Sequence, residues 1–194
     1  NTESAAPVFV ELKTIEDVKP NYRLIQGFKE RLELIQALND ARCFSFDTET
    51  TGLNQHTASL VGLCFSINKA EGFYVPIPPD FESAVNIVQE FSEPFQNPKI
   101  QKVGQNIKYD ITILARYDLT ISGPLFDTMI AHYLFQPDMK HGMDILAENY
   151  LHYKTISIES LIGKKGKNQL SMGDIEPEKL VDYGAEDAAL LEEL

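Results

Sequence analysis

Residues 43–49 alternate, CFSFDTE, so that Phe44, Phe46 and Thr48 fall on one face of a strand and Ser45, Asp47 and Glu49 on the other. SLVGLCFSI and GFYVPIP supply two further strands, and the short turns between the three, GLNQHTA and NKAEG, favour an antiparallel trio. Ahead of them NYRLIQ reads as a short strand, and residues 28–41 place Phe28, Leu32, Ile35 and Leu38 along one side of a helix. A helix over 81–92 precedes the strand KIQKVG and the helix NIKYDITILARY, whose apolar stripe is Ile107, Ile111, Leu114 and Ala115. That strand-helix order points to parallel pairing. FDTMIAHYLF, DILAENYL and EPEKLVDYGAEDAALLEEL read as helical, the last opened by Pro177 in its first turn. The pattern predicts an α/β domain over 21–194, a mixed sheet flanked by helices, behind an aperiodic tail or linker over 1–20.

Composition narrows the class. At 194 residues and 43% hydrophobic the chain fills one domain core. No basic-apolar leader opens it and no run is long enough to cross a bilayer, so membrane insertion is not expected. Cys43 and Cys64 lie in apolar strand runs and read as buried free thiols suited to a reducing cytoplasm. The net charge of -12 argues against non-specific affinity for a polyanion. A start at Asn1 and a stop at LLEEL, inside a helical pattern, suggest a segment of a longer chain.

The acids carry the chemistry. Asp47 and Glu49 point the same way, and two ionised groups about 5 Å apart repel by roughly 3 kcal/mol at an effective dielectric of 20. Either the strand ends in solvent and both hydrate, or protonation or a cation relieves them. In VGQNIKYDITILARY, Asn106 and Asp110 are four apart on one strip; Asn106 alone could be a helix cap, but Asp110 lies a turn inside, where a helix has less use for an acid. In VDYGAEDAALLEEL, Tyr183 and Asp187 share a face, while Asp182, Glu186, Glu192 and Glu193 remain for a solvated side. Gly184 in mid-helix implies close approach by a backbone or a ligand.

A strand with DTE, then N-x-x-x-D, then Y-x-x-x-D, in this order, resembles the three motifs of the DEDD exonuclease superfamily in its tyrosine branch. FDTETTGL, KVGQNIKYDITILARY, FDTMIAHYLF, HGMDILAENYL, GKKGKNQLSM and YGAEDA are together similar to the 3'→5' proofreading exonuclease domain of bacterial family A DNA polymerases, over about residues 24–194. The resemblance implies a ribonuclease H-like sheet, three antiparallel strands plus parallel ones. It also implies two divalent ions, Mg²⁺ or Mn²⁺ with Zn²⁺ admissible at one position, held by Asp47, Glu49, Asp110 and Asp187, with Tyr183 orienting the attacking water. The family's substrate contacts map to Thr50, Leu53, Gln105, Asn106, Tyr109, Lys140 and Met143; Ile158 stands where it often has an aromatic. The implied partners are a single-stranded or frayed 3' end of DNA and a polymerase domain following in the parent chain. The implied setting is a monomer in the bacterial cytoplasm, at the nucleoid. Bound cations and a substrate of a few unpaired nucleotides also answer the charge objection.

Two other readings compete. RNA trimming of the ribonuclease D kind shares the acidic motifs. A silent scaffold that binds single strands without cutting would have lost motif acids, whereas all four are present. GKKGKNQ, three lysines among glycines, reads as a solvated loop with phosphate contact as the alternative. His56, His132, His141 and His152 show no ligand spacing and read as surface or structural.

Overall fold

In a computed structural model that describes residues 11–194, six strands form one mixed sheet among the described residues, ordered β1-β4-β3-β2-β5-β6. In chain order the elements are α1 Ile15–Val18, β1 Asn21–Leu24, α2 Phe28–Asp40, β2 Cys43–Thr50, β3 Leu60–Ser66, β4 Glu71–Pro76, α3 Phe81–Glu90 and α4 Ser92–Gln96. They continue with β5 Gln101–Gly104, α5 Lys108–Ala115, β6 Leu125–Asp127, α6 Thr128–Phe135, α7 Met143–Leu146, α8 Ile158–Ile162 and α9 Pro177–Glu193. β2, β3 and β4 are antiparallel, as their short turns require, while β1 on β4, β5 on β2 and β6 on β5 are parallel.

Of the tail expected over 1–20, residues 1–10 lie outside the described residues. Further on, Lys13 bridges Tyr153 in parallel and Asp17 caps α1 through the backbone N–H of Thr14.

The alternation of β2 sorts the core. Phe44 and Phe46 enter a cluster with Phe65, Phe91 and Phe95, packed mainly edge to face and covered by α2, α3, α4 and α5. Ser45 faces the other way and its hydroxyl donates to the Ala188 carbonyl of α9 at 2.6 Å. On α2 the buried side is Leu34, Ile35 and Leu38, whereas Phe28 and Leu32 are exposed, so the helix is turned away from the expected stripe. Arg31 stacks over Phe28 and makes a two-pronged pair with Glu90, which fixes that rotation. On α5 Ile113 is buried and Ala115 exposed, a smaller correction of the same kind.

Three further expectations change. The run read as one helix over 81–92 breaks at Phe91, and FDTMIAHYLF begins with strand β6 rather than helix. Glu186, read as water-facing, is fully buried, accepting from the Tyr153 hydroxyl at 2.5 Å and the Ile156 N–H at 2.7 Å. It therefore pins the strap before α8 to α9.

α9 lies across β1, β4, β3 and β2, and glycines let it come close. A Cβ on Gly184 would meet Cys64 Sγ at 2.7 Å and the Tyr74 ring at 2.9 Å, so the approach read from the sequence is made by side chains of the sheet. Gly184→Ala is expected to lower stability by about 1–2 kcal/mol, overpacking exceeding the helix-propensity gain. Thermal unfolding measures it, and an unchanged or raised Tm would refute the tight contact.

Candidate active site

Register does the first part of the assembly. Asp47 lies opposite Cys64 and Glu49 opposite Gly62 across the β2-β3 ladder, which places the three side chains Asp47, Glu49 and Cys64 on the α9 face. Carboxylate oxygens of Asp47 and Glu49 and the Cys64 sulfur lie within 4.8 Å of one another. A bulge after Glu49 ends the regular pairing and turns Thr50 and Thr51 towards a loop.

α5 brings the third acid. Asp110 is buried, and its Oδ1 accepts from both the backbone N–H of Thr48, at 3.1 Å, and the Thr48 hydroxyl, at 2.5 Å. The start of α5 is not capped by Asn106, as one sequence reading allowed. The carboxylate of Asp127, at the end of β6, accepts from the N–H groups of Asn106 and Ile107 and also from Met129 and Ile130 of α6. One side chain thus caps two helices, and it holds Asn106 in a left-handed conformation with φ 55°. Asp127 was missed in the sequence, although Asp-Thr ahead of an apolar helical run is a start signal. α9 supplies Tyr183 and Asp187, four apart on one face.

These groups line one cavity of about 570 Å³. Its walls hold Asp47, Glu49, Asp110, Tyr183 and Asp187 with Thr50, Leu53, Gln105, Asn106 and Tyr109. Of the residues singled out from the sequence, Lys140 and Met143 are not on its walls. Lys140 is exposed, and Met143 opens α7 and packs towards Ala147, Tyr153 and Leu190. Leu53 is 96% exposed at the rim. The Tyr109 hydroxyl contacts Thr50 Oγ1 at 2.7 Å and the Gly52 carbonyl at 2.6 Å, which fixes the ring as a wall. The Gln105 side chain is tied to Thr128 and to the His141 carbonyl. His141 in turn meets the buried His132, Nδ1 to Nδ1 at 2.6 Å, and His132 Nε2 lies 3.1 Å from the Tyr150 hydroxyl, so this pair is structural. A larger cavity of about 710 Å³ meets this one at Thr51 and Ser171, but its acids, Asp174 and Glu176, sit at a turn and a helix start rather than converging.

Crowding marks the four acids. Burial, opposed by a bond from Thr48, pushes Asp47 up to about 7. Burial followed by the neighbouring charges of Asp47 and Asp110 raises Glu49 well above the carboxylate range. Asp110 and Asp187 are raised by burial and then by Asp47. Burial and the charges of Asp187 and Glu49 also hold the Tyr183 phenol up, and burial followed by the charges of Glu49 and Asp47 raises the Cys64 thiol. Glu49 Oε1 is buried without a hydrogen-bond partner, an orphan that a bound cation would satisfy. An all-oxygen set of crowded carboxylates fits a hard divalent ion.

A family model described as 3'-5' exonuclease matches residues 22–194. A DNA polymerase I of Borreliella burgdorferi is 37% identical over 182 residues, 92% of this chain and 19% of that protein. One from Pseudomonas aeruginosa is 34% identical over 163 residues, 79% of this chain and 18% of that protein. The chain thus spans about a fifth of the length of these relatives. Among solved structures, Brucella melitensis NrnC superposes with a TM-score of 0.67 at 20% identity, covering 89% of this chain and 76% of that one. Trypanosoma brucei RNase D in complex with RNA U12 gives 0.72 at 15% identity, covering 90% and 61%.

Proposed function

Because the chain belongs to the 3'-5' exonuclease family of A-type DNA polymerases, with a ribonuclease H-like exonuclease fold, we propose that its cavity hydrolyses the 3'-terminal phosphodiester of single-stranded or frayed DNA and releases 5'-mononucleotides. The convergence of Asp47, Glu49, Asp110 and Asp187 with Tyr183 in one cavity carries this reading.

Asp47, Glu49 and Asp187 would hold one divalent ion, Mg²⁺ or Mn²⁺ with Zn²⁺ admissible, and Asp47 with Asp110 a second. When bound, such a pair lowers the pKa of an attacking water and stabilises the entering and departing oxygens of an in-line displacement. Tyr183, its phenol held neutral, donates a hydrogen bond that orients the water rather than taking its proton. The Glu49 carboxylate faces the same space and accepts from that water. Leu53 at the rim and the fixed ring of Tyr109 offer the apolar surfaces against which unpaired bases wedge and stack. Gln105 and Asn106 contact the terminal nucleotide, while Lys140 and Met143, off the cavity wall, would serve further along the strand.

The test is digestion of end-labelled single strands with Mg²⁺ or Mn²⁺. A ladder shortening one nucleotide at a time from the 3' end, with 5'-monophosphates released and chelation abolishing it, is expected. Internal cuts or activity indifferent to chelation would refute the reading. A ribonuclease D-type substrate has fold likeness behind it, and matched DNA and RNA strands separate the two.

Within a longer protein the activity would proofread for an adjoining polymerase domain, in a monomer in the bacterial cytoplasm. Among the described residues no helix is long and apolar enough to cross a membrane. Leu125, Phe126, Ile130, Leu134 and Phe135 expose an apolar face on β6 and α6, which supports a covered surface there in the longer protein.

A further inference from the structure

The lysine loop read from the sequence as a solvated turn folds onto the candidate site. α8 contributes Ile158 and Ile162 to the cavity wall, and residues 163–169 then leave and return as a closed loop. The Leu170 N–H donates to the Ile162 carbonyl at 2.9 Å, the Gln169 N–H to the Gly166 carbonyl at 3.1 Å, and Gly163 turns with φ 82°. Lys165 and Gln169 line the cavity, whereas Lys164 and Lys167 do not.

Charge makes Lys165 stand out. The cavity wall carries five carboxylates, those of Asp47, Glu49, Asp110, Glu159 and Asp187, and among the described residues lining it Lys165 is the only cation. A chain of net charge -12 has no general attraction for a polyanion, so a local cation at the rim is the place where its strand can be gripped. Crowded acids suit the phosphate being cleaved only through bound cations, and they repel every other phosphate of the strand. An ammonium on a flexible stem, held over the cavity by a short closed loop, meets one of those others as a point charge.

We propose that Lys165, with Gln169 beside it, binds an internal phosphodiester of the substrate strand, distinct from the one that is hydrolysed. The inference rests on the nuclease reading above. It makes Lys165 a substrate-binding residue that governs how tightly a single strand is held, with no part in the bond-breaking step.

The test compares the wild-type chain with Lys165→Gln, Lys165→Arg, Lys164→Gln and Lys167→Gln on a labelled oligodeoxynucleotide with Mg²⁺. In Lys165→Gln, KM is expected to rise about fivefold at low salt with kcat retained. The slope of log KM against log salt should fall by about 0.7, the value for one phosphate contact on a single strand. Lys165→Arg should restore both, and Lys164→Gln and Lys167→Gln should resemble wild type. Oligonucleotides with a neutral methylphosphonate at one internal linkage should cost wild type the same factor at a single position, and Lys165→Gln nothing more there. An unchanged KM and salt slope in Lys165→Gln would overturn the proposal while wild-type digestion leaves the nuclease reading intact. Equal changes in all three glutamine variants would also overturn it, since the effect would then be the loop's diffuse charge.

Discussion

Asp187→Ala is expected to slow 3' nucleotide release by about a thousandfold or more and to leave the metal-free protein at least as stable as wild type. The loss follows from position, since Asp187 shares the cavity with Asp47 and Glu49 and electrostatic groups aimed at a reacting phosphate are worth about two to three orders of magnitude each. The stability result follows from electrostatics. Asp187 is raised by burial and then by the charges of Asp47, Glu49 and Glu186, so its ionised form is unfavourable in the folded chain. Removing it relieves its neighbours and leaves a space open to the cavity rather than a sealed void. Asp187→Asn separates the two effects by keeping the volume. Single-turnover rates with Mg²⁺ and thermal unfolding in chelator measure both, and a large fall in metal-free Tm would make the residue structural, whereas retained turnover would remove it from the chemistry.

In chelator, stability is expected to fall as pH rises from about 4 to about 7, because the folded chain holds protons that the unfolded chain has already released. Asp47 sets the window, moving from 3.8 to about 7 on folding, chiefly through burial. A group raised in this way stabilises fully below its unfolded pKa, and that contribution disappears as pH climbs through the folded value. The effect of Asp47 is on the order of a few kcal/mol, and Glu49, Asp110 and Asp187 act in the same direction. Asp47→Asn should flatten the profile, and Mg²⁺ should stabilise wild type at pH 8 with an effect that shrinks as protons compete at lower pH. Denaturant titrations across this range test it. Parallel curves for wild type and Asp47→Asn between pH 4 and 7 would show that the acids are not crowded in solution.

Short-range geometry was readable in the sequence and long-range placement was not, for identifiable reasons. The two-residue period of β2 assigns Asp47 and Glu49 to one face whatever the rest of the chain does, and the four-residue spacings on α5 and α9 pair Asn106 with Asp110 and Tyr183 with Asp187. That these three segments meet was legible only through the likeness of their motifs to a family. β6 escaped because three residues, Leu125–Asp127, are too few to show a period, and its strand character comes from pairing with β5. Glu186 was misjudged because its burial depends on Tyr153 and Ile156, partners some thirty residues away that no pattern on α9 reveals. The lysine loop was conspicuous in composition, but its position over the cavity depends on α8 and on closure at Ile162 and Leu170.

The shared cap at Asp127 reaches further than its own two helices. The stretch around Asp110 brings one of the four acids, yet the start of the helix that carries it is seated by a residue seventeen positions downstream whose own side chain is not part of the cavity lining. A chain could therefore preserve every motif acid and still lose the cap that seats the start of α5, if an apolar side chain stood at 127. Surveys that recognise such nucleases by their acids alone would accept that chain, and inspecting this remote carboxylate is what would distinguish a working arrangement from an inherited signature.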